Sequence, residues 1–365
     1  MTTPEQALGP GGELDRFVAD LAAKDEFSGS LLLTLQGRPV LARSYGMADQ
    51  ARSVRNGPDT AFALASVTKL ATAVAIAQLA QRKKLAYTDS LATYLDGFPA
   101  GVTVHHLLTH TAGFGDYHED PEYFAAAAGW TSAAEVMDGI TGFIRRSTPL
   151  FAPGAGFSYS NSGYHLLGMI VAKVSGLAYH DYVRRNVFAA AGMRGSGFFT
   201  KPQWRTDRRI AHPYRRDPAT GQWTDTVEEF EFIGTPAGEA FATSADLERF
   251  ARALWQNGFL DRGHTELTLS GKLELPRQQP PPGSPPPPTG TPPQAVFQCY
   301  GPIGTLLGGH WSFAHGGGNS AGVSTSVELH PALGWVAVFL SNYAGQAVLQ
   351  ISDLARRLIT TEGQR

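Results

Sequence analysis

Ser66 and Lys69 stand three positions apart, and on a helix such a pair shares one face. A serine hydroxyl is a weak nucleophile that needs a neighbouring base. A lysine can be that base only if burial or another cation lowers its pKa. The residues behind the pair supply a reason for burial. From 70 to 80 the chain reads LATAVAIAQLA, within a helix expected from Val67 onward. A helix that is apolar nearly all round belongs inside a domain. A lysine at its head is costly unless something there uses it. At the helix start, Ser66 would also have an N–H dipole aimed at a developing oxyanion.

Two further stretches have chemical potential. Tyr159-Ser160-Asn161 lies in FAPGAGFSYSNSGYHLLG, between a proline- and glycine-rich turn and an expected helix. Its side chains are therefore free to project, although Ser160 or Asn161 could equally cap that helix. His315-Gly316-Gly317-Gly318 ends a β-like run. Glycines there allow close approach of a ligand, and their N–H groups can bind an oxyanion. A dinucleotide-binding reading fails, because the sixth position is Ala321 and the chain continues as strand.

The positioning elements follow from periodicity. Apolar spacing predicts helices over 13–24, 104–110, 133–146, 162–174, 179–189, 244–256 and 348–358. Gly176 is the expected C-cap of the fourth. β-rich runs cover 29–35 and 40–45, joined as a hairpin through Gln36-Gly37-Arg38-Pro39, and 295–300, 312–315, 324–329 and 335–341. Shorter β-like pieces fall at 210–214 and 227–233. Strands at both ends with helices between them indicate an α+β fold with an antiparallel sheet. The expected division is a sheet subdomain from 1–85 and 206–365, and a mostly helical subdomain from 86–205. Residues 276–293 (PRQQPPPGSPPPPTGTPP) can be neither helix nor central strand. They read as a surface insertion, with a flap over the site or a partner-binding polyproline ligand as alternatives.

Composition narrows the function. The 365 residues have a formal net charge of −2, with no polyanion footprint, so nucleic acid is excluded as an expected partner. Cys299 is the single cysteine, so no internal disulfide can form. The first residues lack a basic segment followed by an apolar one, and 70–80 is too short to span a bilayer. A cytoplasmic protein without membrane contact is the expectation. His105, His106 and His110 are metal-ligand candidates, with His106 and His110 at helical i, i+4 spacing, but no H-E-x-x-H or partner carboxylate accompanies them, so no metal is expected. No serine has the G-x-S-x-G context of an α/β-hydrolase. The arginines at 205, 208, 209, 215 and 216 read as a solvated face.

In the order S-x-x-K, Y-x-N, H-G-G, these pieces resemble the serine β-lactamase and penicillin-recognising superfamily. The similar branch holds class C β-lactamases, D-Ala-D-Ala carboxypeptidases and family VIII esterases. LLTHTAGF at 107–114, GEAFATSADLERF at 238–250 and FAHGGGNSAG at 313–322 extend the resemblance, which covers roughly residues 27–343. It implies a site between the sheet and the helical subdomain, with no cofactor. Ser66 would be acylated, and Lys69 and Tyr159 would share proton transfer. Asn161 would orient the acyl side chain. His315, Gly316 and Gly317 would form the third motif, and the N–H groups of Ser66 and Gly318 the oxyanion hole. Two departures matter. The third motif usually opens with lysine, which attracts a substrate carboxylate; His315 is largely neutral at pH 7. The acidic deacylation motif of class A enzymes is also missing.

The expected activity is therefore hydrolysis of a small ester or amide through an acyl-enzyme on Ser66. A transacylase of secondary metabolism, passing the acyl group to an amine or alcohol, would use the same residues. A non-catalytic acyl-binding sensor is the third possibility, and the completeness of the three motifs argues against it.

Overall fold

The computed structural model describes residues 3–276 and 294–360. The proline-rich stretch, apart from Pro276, lies outside these residues.

An antiparallel sheet of eight strands organises the chain. In sequence these are β1 (Gly29–Leu35), β2 (Arg38–Tyr45), β3 (Leu273–Glu274), β4 (Gln294–Gln298), β5 (Ile303–Leu307), β6 (His310–Asn319), β7 (Val323–His330) and β8 (Trp335–Ser341). In space the order is β2-β1-β8-β7-β6-β5-β4-β3. The first hairpin closes at Gln36 and Gly37, both at positive φ (51° and 76°), the geometry that matches strand twist. The hairpin then pairs with the end of the chain, Gly29 opposite Ser341 and Leu35 opposite Trp335.

Strand β8 is buried along its whole length because both faces are covered. Trp335, Ala337 and Phe339 pack with Leu31 and Leu33 under the helices Glu13–Ala23 and Ala347–Thr360. Val336, Val338 and Leu340 face the other way, into a second core that continues into the helical part of the chain. That core is built around α1 (Thr68–Gln81), whose residues 68–79 are all buried. α1 packs against α2 (Asn161–Ser175), which begins at the Ser160 cap and ends at Gly176 with φ 72°.

Several expectations need correction. The regular helix begins at Thr68, after a 3-10 turn over Ala65–Val67 that holds Ser66. The expected strand over 227–233 does not form. The carboxylate of Asp225 accepts the Val227 N–H at 3.0 Å and starts a 3-10 turn there. The paired strands of that region are Tyr214–Arg216 and Trp223–Asp225. The expected helix over 104–110 stops at Leu108, and His110 adopts φ 59°. The helix over 179–189 divides into an α segment, Tyr179–Val183, and a π segment, Arg184–Phe188. Among the described residues, no helix is long and apolar enough to cross a membrane.

Candidate active site

The chain makes a tight turn just before α1, and the turn is fixed from two sides. The Leu64 N–H donates to Ala240 O at 2.8 Å, and the Thr325 hydroxyl donates to Leu64 O at 2.9 Å. Ala65 adopts φ 43°, a strained conformation for a residue with a Cβ. Strand β6 passes so close that a Cβ on Gly317 would stand 2.5 Å from Leu64 O and 2.9 Å from Ser66 N. Only glycine lets the sheet reach the Ser66 backbone at this point. The glycine run keeps its place in the ladder, with Gly316, Gly317 and Gly318 opposite Ser326, Thr325 and Ser324.

Lys69 is fully buried. Its Nζ lies 3.0 Å from Ser66 Oγ, 2.6 Å from Asn161 Oδ1 and 2.7 Å from Ala237 O. Burial lowers its pKa to about 7, against the opposing pull of the Asp116 and Glu239 carboxylates. The geometry suits the neutral amine. A neutral amine has two hydrogens and one lone pair, and both amide oxygens can only accept. They take the two hydrogens, which leaves the lone pair facing the Ser66 hydroxyl.

Tyr159 borders the same amine, with Lys69 Nζ 4.9 Å from its ring centroid, and its ring lies 4.5 Å from that of His110. Although Tyr159 is 44% exposed overall, desolvation raises its phenol above the ordinary value and a hydrogen bond with Ser66 opposes the rise. Asn161 bridges inward: its Nδ2 donates to Asp116 Oδ2 at 2.6 Å. His118 Nδ1 donates to the other Asp116 oxygen at 2.8 Å, and its Nε2 lies 3.7 Å from Glu231. Burial disfavours charge on His118, but Asp116 and Glu231 outweigh it and lift the pKa to about 9. His315 is buried, and its Nδ1–H donates to Gly316 O at 2.7 Å. Burial, with Lys69 nearby, holds its pKa down at about 4, so the imidazole is neutral.

Ser66, Asn161 and Gly318 open on a cleft of about 580 Å³, which Asn319, Glu231 and Glu239 also line. Lys69, Tyr159 and His315 lie outside that lining. The three sequence motifs thus converge on one turn. The histidines considered for a metal are used otherwise. His105 Nδ1 meets Tyr300 Oη at 2.8 Å, His106 Nδ1 accepts from Thr103 N, and His110 Nδ1 accepts from Ser160 N. Among the described residues no group of His, Cys, Asp and Glu is arranged to hold a metal.

The family model described as Beta-lactamase matches residues 14–362. The chain belongs to the β-lactamase family. A Bacillus subtilis penicillin-binding protein is 30% identical over 269 residues, 68% of this chain and 57% of that protein. The flp protein of Staphylococcus aureus is 25% identical over 66% of this chain and 48% of its own length. The chain thus spans about half the length of these relatives. Among solved structures, a penicillin-binding protein from Bacillus halodurans has a TM-score of 0.81 at 26% identity, covering 94% of this chain and 99% of that one. The D-amino acid amidase of Ochrobactrum anthropi shares the fold, with a TM-score of 0.74 at 22% identity over 96% and 99% of the two chains.

Within this family framework, Asp116, His118 and Glu239 are site neighbours that the sequence reading did not pick out. Glu239 left a trace, as a lone charge between glycine and apolar residues in PAGEAFA. Asp116 sits in an acidic, polar run, GDYHED, and carried no comparable mark.

Proposed function

We propose that this member of the β-lactamase family is a serine hydrolase that takes an acyl group from a small ester or amide onto Ser66. The observation that supports it most directly is the buried Lys69 amine, 3.0 Å from Ser66 Oγ, with its pKa lowered to about 7. Lys69 accepts the Ser66 proton as Oγ bonds to the acyl carbon. The raised Tyr159 phenol keeps its proton at neutral pH and is suited to protonate the leaving group as its bond to the acyl carbon breaks. Lys69 then returns its proton to Tyr159. In the second half, water attacks the acyl carbon, its proton passes through the same pair, and Ser66 Oγ leaves with a proton restored. The turn leaves the Ser66 N–H without a helical partner. With the Gly318 N–H on the neighbouring strand, it is the proposed oxyanion hole.

The test is incubation with a p-nitrophenyl ester, nitrocefin and a fluorophosphonate, followed by intact mass. A mass increase on wild type, absent from Ser66→Ala, is expected, with ester turnover falling at least about 10³-fold in the variant. Equal labelling and turnover in both proteins would rule the reading out. An acyl adduct that persists in water and is released by an added amine or alcohol would move the assignment to transacylation. The neutral His315 supports faster turnover of the ester than of the anionic nitrocefin.

A further inference from the structure

The cleft beside Ser66 is chemically one-sided. Its lining includes the carboxylates of Glu228, Glu229, Glu231 and Glu239 against one cation, His118, and no lysine or arginine. Three of the four carboxylates are already matched. Glu228 pairs with Arg205 at 2.8 Å, Glu229 with Arg215 at 2.6 Å, and Glu231 faces the charged His118 and accepts from the Tyr123 hydroxyl. Glu239 differs. Its Oε2 accepts from the Ala65 N–H at 3.3 Å and its Oε1 from Asn319 Nδ2 at 3.2 Å. Both donors are neutral, and among the described residues no cation is hydrogen-bonded to it. Two accepted bonds leave lone pairs free on a carboxylate.

The backbone makes the placement more pointed. Glu239 adopts φ 66°, a conformation for which glycine is the ordinary choice. A side chain is held there at a steric cost, and burial with Glu231 nearby disfavours its charge, raising the pKa to about 7. An unmatched carboxyl, kept at a local cost and hydrogen-bonded to the residue before the nucleophile, is suited to a ligand that brings the missing positive charge. Lys69, the cation whose field reaches it, is itself lowered toward neutrality. The third motif adds no charge to the site, since its His315 is neutral.

We propose that Glu239 selects substrates that carry an ammonium group next to the scissile carbonyl, such as amino acid esters or amides with a free amine. This rests on the Ser66 acyl-enzyme reading and adds the charge of the substrate to it. No further covalent step is involved; the ammonium docks against Glu239 while Ser66 attacks.

Protection of Ser66 from fluorophosphonate labelling tests the idea without requiring turnover. Three small amides differ in one substituent: alaninamide (ammonium, both enantiomers), isobutyramide (methyl) and methylmalonamate (carboxylate). For wild type, at least one alaninamide enantiomer should protect at about tenfold lower concentration than isobutyramide, with methylmalonamate weakest. Glu239→Gln should shrink the gap to within about twofold, and Glu239→Gly, which suits the backbone conformation, should do the same. Glu228→Gln, at an exposed and paired position, should keep it. If Glu239 only clamps the Ala65 turn, its variants will weaken protection by the cationic and neutral amides equally, and the proposal fails. Equal protection by all three amides in wild type also overturns it, while leaving the Ser66 reading intact. Absence of labelling at Ser66 would instead remove both.

Discussion

Lys69 and Glu328 are both charged residues with almost no exposed surface, 0% and 2%, yet the protein treats them in opposite ways. Burial alone would raise the Glu328 carboxyl. The His330 ring, 3.1 Å away, and hydrogen bonds from Arg356 overturn that and hold it at about 2, with Arg356 Nε and Nη2 both 2.8 Å from its oxygens. That charge is fixed. Lys69 meets no carboxylate directly: its contacts are a hydroxyl, an amide side chain and a backbone carbonyl. Neutral acceptors satisfy the amine without compensating the charge, so the proton is easily given up. Two buried titratable groups, one on α1 and one on β7, thus separate into a structural pair and a proton carrier, and the partner decides which.

The sharpest way to break this contrast is substitution on each side. Lys69→Met should lower kcat for ester hydrolysis by about 10²–10⁴-fold. Its folding stability should stay within about 1 kcal/mol, since losing a buried amine offsets the two acceptors left unpaired. Arg356→Leu should do the reverse. It strands Glu328 and should cost about 3–5 kcal/mol in denaturant unfolding, with the Ser66 labelling rate kept. If Arg356→Leu slowed labelling as much as Lys69→Met, the two charges would not be separate in role.

Titration gives the next effect. Lys69 works as the free amine, so kcat/KM should rise with pH through about 7 and level off above it. Glu328 has a depressed pKa, so its stabilisation is present above the ordinary value of 4.5 and is lost as pH falls through about 2. An activity midpoint near 7 with no matching change in stability would support the division. The smallest expected change comes from His315→Lys. A second cation near Lys69 should move the activity midpoint to lower pH and improve turnover of nitrocefin relative to a neutral ester.

Much of the site was legible because its chemistry is local. Ser66 and Lys69 are one turn apart, and Tyr159 and Asn161 flank a helix cap. The α+β sheet was legible from strand patterns at both ends. What escaped depended on contacts distant in sequence. Glu239 matters because it meets Ala65, and Asp116 because it meets Asn161. Strand Ile303–Leu307 is short, with a glycine at its second position, and gave no alternation to detect. The strand over 312–315 was placed too short because three glycines offer no side-chain alternation to follow, whereas their lack of side chains is what allows β6 to continue past the Ser66 turn. The 227–233 run was misread because one carboxylate, Asp225, redirects the backbone.

The pairing of β1 with β8 also bears on how the protein is made. Gly29 waits for Ser341, so the first hairpin leaves the ribosome with its inner edge open until synthesis has passed Ser341. Loop closure over that span is entropically slow, and an unpaired edge invites pairing with another chain. β8 must therefore arrive between β1 and β7 as the closing strand, and the two cores it separates are completed in the same event. Nascent chains stalled before Trp335 should remain open to protease in the 29–45 hairpin, and become resistant once synthesis has passed Ser341.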